Sequence, residues 1–269
     1  MGQQLVEKLV PALEKMEWPA ATGLTQAGRL NYGVGLERAD DYKGDPKALA
    51  AALRVFQTGD SLPYAYAGVA YTLLTAARET DGSYSQASLD AVLQWLEKAQ
   101  ALAPDQVEIN FIEALVYVYG RRFREARLVL DYLAGQEADS YYVASAEALF
   151  WQRQGQLEEA VKGYEQAMTR AATVPQRLLM RRRLGDCYFE NGRLDEAQAI
   201  YQEMVMLDKQ NPWLWHHLSL IHYRREEYQE AARCNAKALT IMDFPAARQM
   251  ETAIKKKLEP GVWGRLFGR

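Results

Sequence analysis

Three histidines are the residues in this sequence whose type and spacing most readily suggest a metal site. His216, His217 and His222 lie close together, in a segment whose apolar spacing predicts a helix. On a helix, His216 and His217 point about 100° apart, so their rings do not converge on one ion. His222 falls on the face that we expect to be buried. The spacing therefore predicts no metal centre and no bound cofactor.

A group of aspartates, Asp40, Asp41 and Asp45, has the residue type of a magnesium site. They lie beside Gly44 and Pro46, which are turn residues, so we predict a polar turn and helix cap. Phosphate-binding glycine loops and the common hydrolase and redox motifs are absent from the sequence. A non-catalytic protein is therefore favoured. An enzyme on an α/α helical array, using these aspartates or the histidines, is the alternative from another class.

The composition is that of a folded protein without a strong charge bias. Of 269 residues 49% are hydrophobic, and 32 Lys and Arg against 35 Asp and Glu give a net charge of -3. This balance disfavours nucleic acid as a partner. No apolar stretch approaches the roughly 18 to 20 residues needed for a membrane span, and the N-terminus lacks the apolar core of a secretory signal. Two cysteines are too few for a disulfide framework, so we expect a cytoplasmic protein.

The chain repeats itself with a period of about 34 residues. Each copy has two runs of apolar residues at i, i+3, i+4 and i+7 around a short turn, which predicts a pair of antiparallel helices. Gly155 and Gly192 are placed to end the first helix, because glycine accepts the left-handed conformation. Arg121 and Glu226 occupy the same place in other copies. A second repeat position always carries a small residue, which lets helices approach closely. We call these four residues the alanine row: Ala126, Ala160, Ala197 and Ala231.

These copies resemble the tetratricopeptide repeat (TPR) family. The two best match the pattern Trp-x-x-Leu-Gly-x-x-Tyr…Ala-x-x-x-Phe through Arg181, Leu184, Gly185, Tyr188, Ala197 and Tyr201, and through Trp215, Leu218, Ser219, His222, Ala231 and Asn235. The resemblance implies an all-α fold, a right-handed superhelical solenoid of antiparallel helix pairs. We expect about 13 to 14 helices in one continuous superhelix without separable domains.

The predicted organisation has five segments. Residues 1–23 form an N-terminal capping helix, 24–106 two degenerate helix pairs, 107–244 four TPR-like repeats, 245–259 a C-terminal capping helix, and 260–269 a basic and aromatic tail. Terminal units of a solenoid are atypical because they present a polar outer face.

The resemblance implies that partner peptides lie against the first helix of each pair. The residues that the family's contact positions assign to this concave surface are called the predicted groove: Phe111, Ile112, Leu115, Tyr119, Tyr142, Arg153, Arg182, Arg183, Trp213, His216, His217 and Arg224. Its composition of aromatic residues and arginine is that of a binding hot spot. Self-packing, in which neighbouring helices or the N-terminal helix bury these side chains, is the alternative.

The charges of the predicted groove favour an acidic or carboxylate-bearing partner segment through Arg182, Arg183 and Arg224. The Lys-x-x-x-Asn…Asn…Lys-x-x-x-Arg clamp that some TPR domains use for a chaperone's C-terminal carboxylate is not reproduced here. Arg182 and Arg183 belong to a run of three arginines that could instead be a solvated helix face.

The tail carries Trp263, Arg265 and Phe267, and a lysine run precedes it. Basic and aromatic residues together can contact a partner or an anionic membrane surface, or can fold back onto the last helix.

The sequence therefore predicts a non-catalytic adaptor or scaffold that binds a peptide segment of a partner protein in its concave groove. A homo-oligomeric scaffold, assembled through the groove or the tail, is the alternative within the same class.

Overall fold

The computed structural model describes residues 2–42, 46–79 and 82–258, and within these ranges every regular element is an α-helix. The helices are α1 (Gly2–Leu13), α2 (Gln26–Asp40), α3 (Pro46–Gln57), α4 (Leu62–Ala76), α5 (Gln86–Gln100), α6 (Val107–Tyr119), α7 (Phe123–Gln136), α8 (Tyr141–Arg153), α9 (Leu157–Arg170), α10 (Val174–Glu190), α11 (Leu194–Leu207), α12 (Pro212–Arg224), α13 (Tyr228–Ile241) and α14 (Pro245–Leu258). The predicted fold class, an all-α helical repeat solenoid, is confirmed.

The helices from α2 to α13 follow one another as six pairs. We call the first helix of each pair the A helix (α2, α4, α6, α8, α10 and α12) and the second the B helix. The end helices pack against neighbouring pairs, α1 against α4 and α5, and α14 against α12 and α13. Their roles as caps stay predictions. None of the helices in the described ranges is long and apolar enough to cross a lipid bilayer.

Contacts along the chain divide it into two compact units, unit 1 (Met1–Met180) and unit 2 (Arg181–Arg269), with the boundary inside α10. We describe each unit by itself.

A left-handed residue ends the A helix at the same place in four repeats. Gly155 and Gly192 have φ of 74° and 76°, as predicted, and Arg121 and Glu226 have φ of 58° and 63°. In each case the next residue donates its N–H to the carbonyl five residues earlier, as in the bond from Gln156 to Trp151 at 2.9 Å. This bond pairs a helix-terminal carbonyl that would otherwise lack a donor.

The alanine row is fully buried, with 0% exposure at all four positions. Next to it the B helices bury Tyr164 and Tyr201, whose hydroxyls donate hydrogen bonds to Gln152 and Asp186 on the A helices. Small residues bring the two helices of a pair together, and the tyrosines then fix their relative position through a directional bond.

The left-handed turn predicts whether a Gly→Ala substitution lowers or raises the unfolding free energy. A Cβ added at Gly155 meets no atom within 4 Å, so Gly155→Ala should cost only the strain of the left-handed backbone, about 1 kcal/mol of unfolding free energy. Gly33→Ala, inside α2 and equally free of contacts, should instead stabilise unit 1 by about 0.5 to 1 kcal/mol. Urea denaturation of the two variants checks this, and equal effects of the same sign would contradict it.

Candidate protein-binding surfaces

Three residues of the predicted groove lie in the interior of unit 1. Phe111, Ile112 and Leu115 on α6 are 4%, 0% and 2% exposed. The Phe111 ring packs between Tyr71 and Tyr142, with centroid distances of 6.0 and 4.8 Å. A ligand cannot contact these side chains without displacing their neighbours, so the self-packing alternative describes this part of the predicted groove.

The helix α2 covers the beginning of α6. The Tyr32 hydroxyl donates a hydrogen bond to the backbone oxygen of Glu108 at 2.7 Å, and its ring stacks on Tyr64 at a centroid distance of 5.1 Å. The buried Glu108 carboxylate accepts bonds from Arg29 Nε at 2.5 Å and from the Tyr64 hydroxyl at 3.4 Å. Burial raises the pKa of Tyr32 well above its usual value, so its hydroxyl remains a donor.

The same helix also reaches the start of α10, where the Thr173 hydroxyl donates to the Glu37 carboxylate. Tyr142, at the beginning of α8, is half-buried, and burial raises its pKa. In unit 1, α2 thus forms hydrogen bonds at the N-terminal ends of α6 and α10, and Tyr142 at the start of α8 lies close to it. The open part of the predicted groove in this unit therefore lies toward the C-terminal ends of the A helices.

At those ends, the Tyr119 ring contacts both a second aromatic ring and an arginine. Tyr84 packs parallel to Tyr119 with a centroid distance of 4.4 Å, and the Arg153 guanidinium lies 5.5 Å from the centre of the Tyr119 ring. Arg153 is exposed, and within the described residues it forms no ion pair or hydrogen bond. Stacking on a ring holds a guanidinium in place while its N–H donors stay available for a carboxylate.

A second contact between an arginine and an aromatic ring lies in unit 2. The Arg224 guanidinium lies 3.9 Å from the centre of the Phe189 ring and donates one N–H to the Phe189 carbonyl at 2.6 Å. Arg224 is exposed.

Among the other polar residues of the predicted groove in unit 2, His217 lies near Asp186. This carboxylate accepts a hydrogen bond from Tyr201 and lies 3.6 Å from His217 Nδ1, and the His217 ring stacks on Tyr201. Arg182 and Arg183 are half-buried on the same helix. Their neighbour Arg181 is paired with Glu203, so that member of the arginine run serves structure.

Trp213 and His216 pack into the core of unit 2 rather than forming an open surface. Phe244, just before α14, lies against both rings, at 4.3 Å from Trp213 and 5.4 Å from His216. His216 is 6% exposed, and burial lowers its pKa to about 4. The neutral imidazole is therefore the form that the folded protein contains at pH 7.

The histidine and aspartate groups that the sequence suggested as chemical sites do not form a metal-binding cluster in the described residues. Among the described residues, no group of three His, Cys, Asp or Glu side chains is placed to hold a metal ion. Asp40 accepts a hydrogen bond from Tyr71, and Asp45 lies outside the described residues. The tail residues Trp263, Arg265 and Phe267 also lie outside them.

Sequence reasoning missed Tyr84, the ring that stacks on Tyr119, and did not single out Phe189, the ring over which Arg224 lies. Tyr84 lies in the irregular turn between α4 and α5, where no repeat position predicts its direction. Phe189 was only one of several inward positions, and nothing in the sequence pairs it with an arginine one repeat later.

The fold and one segment of the sequence match known proteins. Residues 152–212 match the family model described as tetratricopeptide repeat. No curated protein matches the sequence. The structure is similar to PilW, a widely conserved type IV pilus biogenesis factor, with a TM-score of 0.58 and 14% identity over 73% of this chain and 86% of PilW.

Two further solved structures share this fold. The pilF protein of Pseudomonas aeruginosa has a TM-score of 0.53 and 14% identity, over 77% of this chain and 92% of its own. A signal-transduction ATPase of Pyrococcus horikoshii with a tetratricopeptide repeat sensor has a TM-score of 0.58 and 15% identity, over 86% of this chain and 37% of its own. At these identities the likeness is one of fold.

The burial of His216 gives a pH-dependent stability. Because its folded-state pKa of about 4 is below the unfolded value of about 6.5, its contribution is complete above pH 6.5 and is lost as the pH falls toward 4. Wild type should lose about 3 kcal/mol more unfolding free energy between pH 7 and pH 4 than His216→Phe. Denaturant titrations at both pH values measure the difference. An equal loss for wild type and His216→Phe would contradict the prediction.

Proposed function

The chain folds as a tetratricopeptide repeat solenoid and matches that family's model over residues 152–212, and on this premise we propose that it is a non-catalytic adaptor for partner proteins. Its ligand is an acidic or carboxylate-bearing segment that contacts exposed arginines on the A helices. The observation that carries the proposal is the position of the exposed Arg153 guanidinium over the Tyr119 ring, which in turn stacks on Tyr84.

The stacked arginines are suited to this task for two reasons. Ring stacking reduces the side-chain freedom that a long arginine loses on binding, so less free energy is spent in ordering it. Its planar donors can then form two parallel bonds to one carboxylate. Arg224 offers the same arrangement on Phe189 in unit 2, with Arg182 and Arg183 adding positive charge on α10.

The buried members of the predicted groove support the binding surface from beneath. Phe111 and Tyr142 fix the spacing of α6 and α8, from whose ends Tyr119 and Arg153 project. Both cysteines are free, and Cys187 is buried with its pKa raised to about 12 by burial. Unreactive, unpaired thiols support the proposal of a reducing, cytoplasmic setting.

A peptide-display selection on the full chain, followed by fluorescence anisotropy with the selected sequence, tests the proposal. The selection should enrich Asp and Glu, and binding should weaken as salt is raised. Arg153→Glu or Arg224→Glu should each reduce affinity about tenfold or more, because a charge-assisted bond is replaced by repulsion.

Charge-matched controls separate the site from a general field effect. Arg54→Glu, on the B helix α3, changes the net charge equally at an exposed position and should leave the affinity unchanged. Arg153→Lys keeps the charge but loses the planar stack, so it should bind with intermediate affinity. Selected peptides without acidic residues, or an equal loss with Arg54→Glu, would count against the proposal.

A further inference from the structure

A cleft of about 340 Å³ in unit 1 is lined by α6, α7 and the end of α5, and none of its lining residues belongs to the predicted groove. Gln100 at the end of α5 and Asn110 and Glu113 on α6 contribute its polar side chains, and Leu128, Val129 and Tyr132 on α7 contribute its apolar side. Leu128 is 72% exposed and Tyr132 is 46% exposed. The cleft thus combines uncovered apolar surface with a carboxylate.

The hydrogen-bond donors to Glu113 are neutral. Its carboxylate accepts hydrogen bonds from Gln100 Nε2 and from the Tyr117 hydroxyl, both at 2.9 Å and both neutral donors. In the ranges that the structure describes, Glu113 takes part in no ion pair. A second carboxylate, Asp105, accepts the Tyr132 hydroxyl at 2.9 Å and adds negative charge beside the cleft.

In the next repeat, the carboxylate at the same position has a cationic partner within the chain. Helices α6 and α8 align with a shift of one repeat, which places Glu147 at the position of Glu113. Glu147 lies 3.9 Å from Arg127, a residue of the B helix α7. The corresponding residue of α5 is Leu93, because buried Val92, Leu96 and Ala99 align with buried Ala126, Leu130 and Leu133. Glu113 therefore lacks the internal cation that Glu147 has.

We propose that this cleft binds the side chain of a lysine or arginine from a partner protein, in a segment whose neighbouring residues are apolar. The aliphatic part of that side chain packs against Leu128 and Val129, and its charged end meets Glu113. The rim around Tyr132 receives the apolar neighbours. This site differs in location and in charge from the arginine surface proposed above, and it does not depend on it.

Three acetylated peptides, Ala-Leu-X-Leu-Ala with X as Arg, Lys or Gln, are the probes. The full chain is labelled at leucine and valine methyl groups, and each peptide is titrated by NMR. The Arg and Lys peptides should shift the Leu128 and Val129 signals in a saturable manner, and the Gln peptide should bind about tenfold more weakly. Glu113→Gln should lose about tenfold in affinity for the Arg and Lys peptides.

Glu147→Gln is the matched control, because it removes a carboxylate at the equivalent position that is already paired, and it should bind as wild type. Leu128→Ser, at an exposed position, is a second variant that should weaken binding without disturbing the hydrogen bonds of Glu113. Equal binding of the Gln peptide, unchanged binding by Glu113→Gln, or no shift with any peptide would overturn the proposal. Shifts that follow protein concentration alone would assign the cleft to a second copy of this chain and would also overturn it.

Discussion

The close approach of neighbouring helices through the alanine row is the constraint on which the remaining structure depends. Ala126, Ala160, Ala197 and Ala231 are completely buried, and a larger side chain at any of them would force the helices apart at a cost of about 1 to 3 kcal/mol. The surface contacts require the same spacing. Tyr84, Tyr119 and Arg153 belong to successive repeats of unit 1, and their stack forms only if those repeats lie at a fixed separation. The position of Arg153 thus depends on the helix spacing that these small residues set.

Close packing also decides which side chains of unit 1 stay exposed. The residues of α2 engage Glu108 and Thr173, which are far away in the sequence, and these polar contacts close over side chains that would otherwise face a groove. Breaking the buried contacts of Glu108 would leave a charged group without its partners, which is more costly than leaving a surface pair unmade. The N-terminal ends of the A helices are consequently committed to structure. Exposed, adaptable side chains remain at the C-terminal ends, where the left-handed turns begin.

The features that could be predicted from the sequence depend on residues within one or two repeats. Contacts between residues far apart in the sequence depend on how the helix pairs curve, and these could not be predicted. The period identified the helix pairs, the alanine row, and the turn position shared by Gly155 and Arg121, because each follows from spacing within one or two repeats. The contact of Tyr32 with Glu108 spans 76 residues, and no local pattern encodes how strongly the array bends to permit it. For the same reason His216 and Trp213, which the repeat register assigns to an open surface, could not be known to lie beneath Phe244. Tyr84 was missed because it lies in a turn that departs from the repeat.

Because the chain repeats, each residue can be compared with the residue at the equivalent position of the next repeat. A difference between the two is then informative. Both carboxylates of the B helix α7 are paired with arginines, Asp131 with Arg127 and Glu125 with Arg122. Against that background a carboxylate beside an open apolar cleft, with leucine where the next repeat has arginine, is an incomplete electrostatic pair. Its completion from outside would place an attractive site for a cation in the cleft between α6 and α7, while the C-terminal ends of the A helices in the same unit present the cation of Arg153. Two surfaces of opposite charge on one scaffold can hold two different segments at once, because neither segment is attracted to the other's site. That separation of charge is the physical property an adaptor needs in order to join partners without exchanging them.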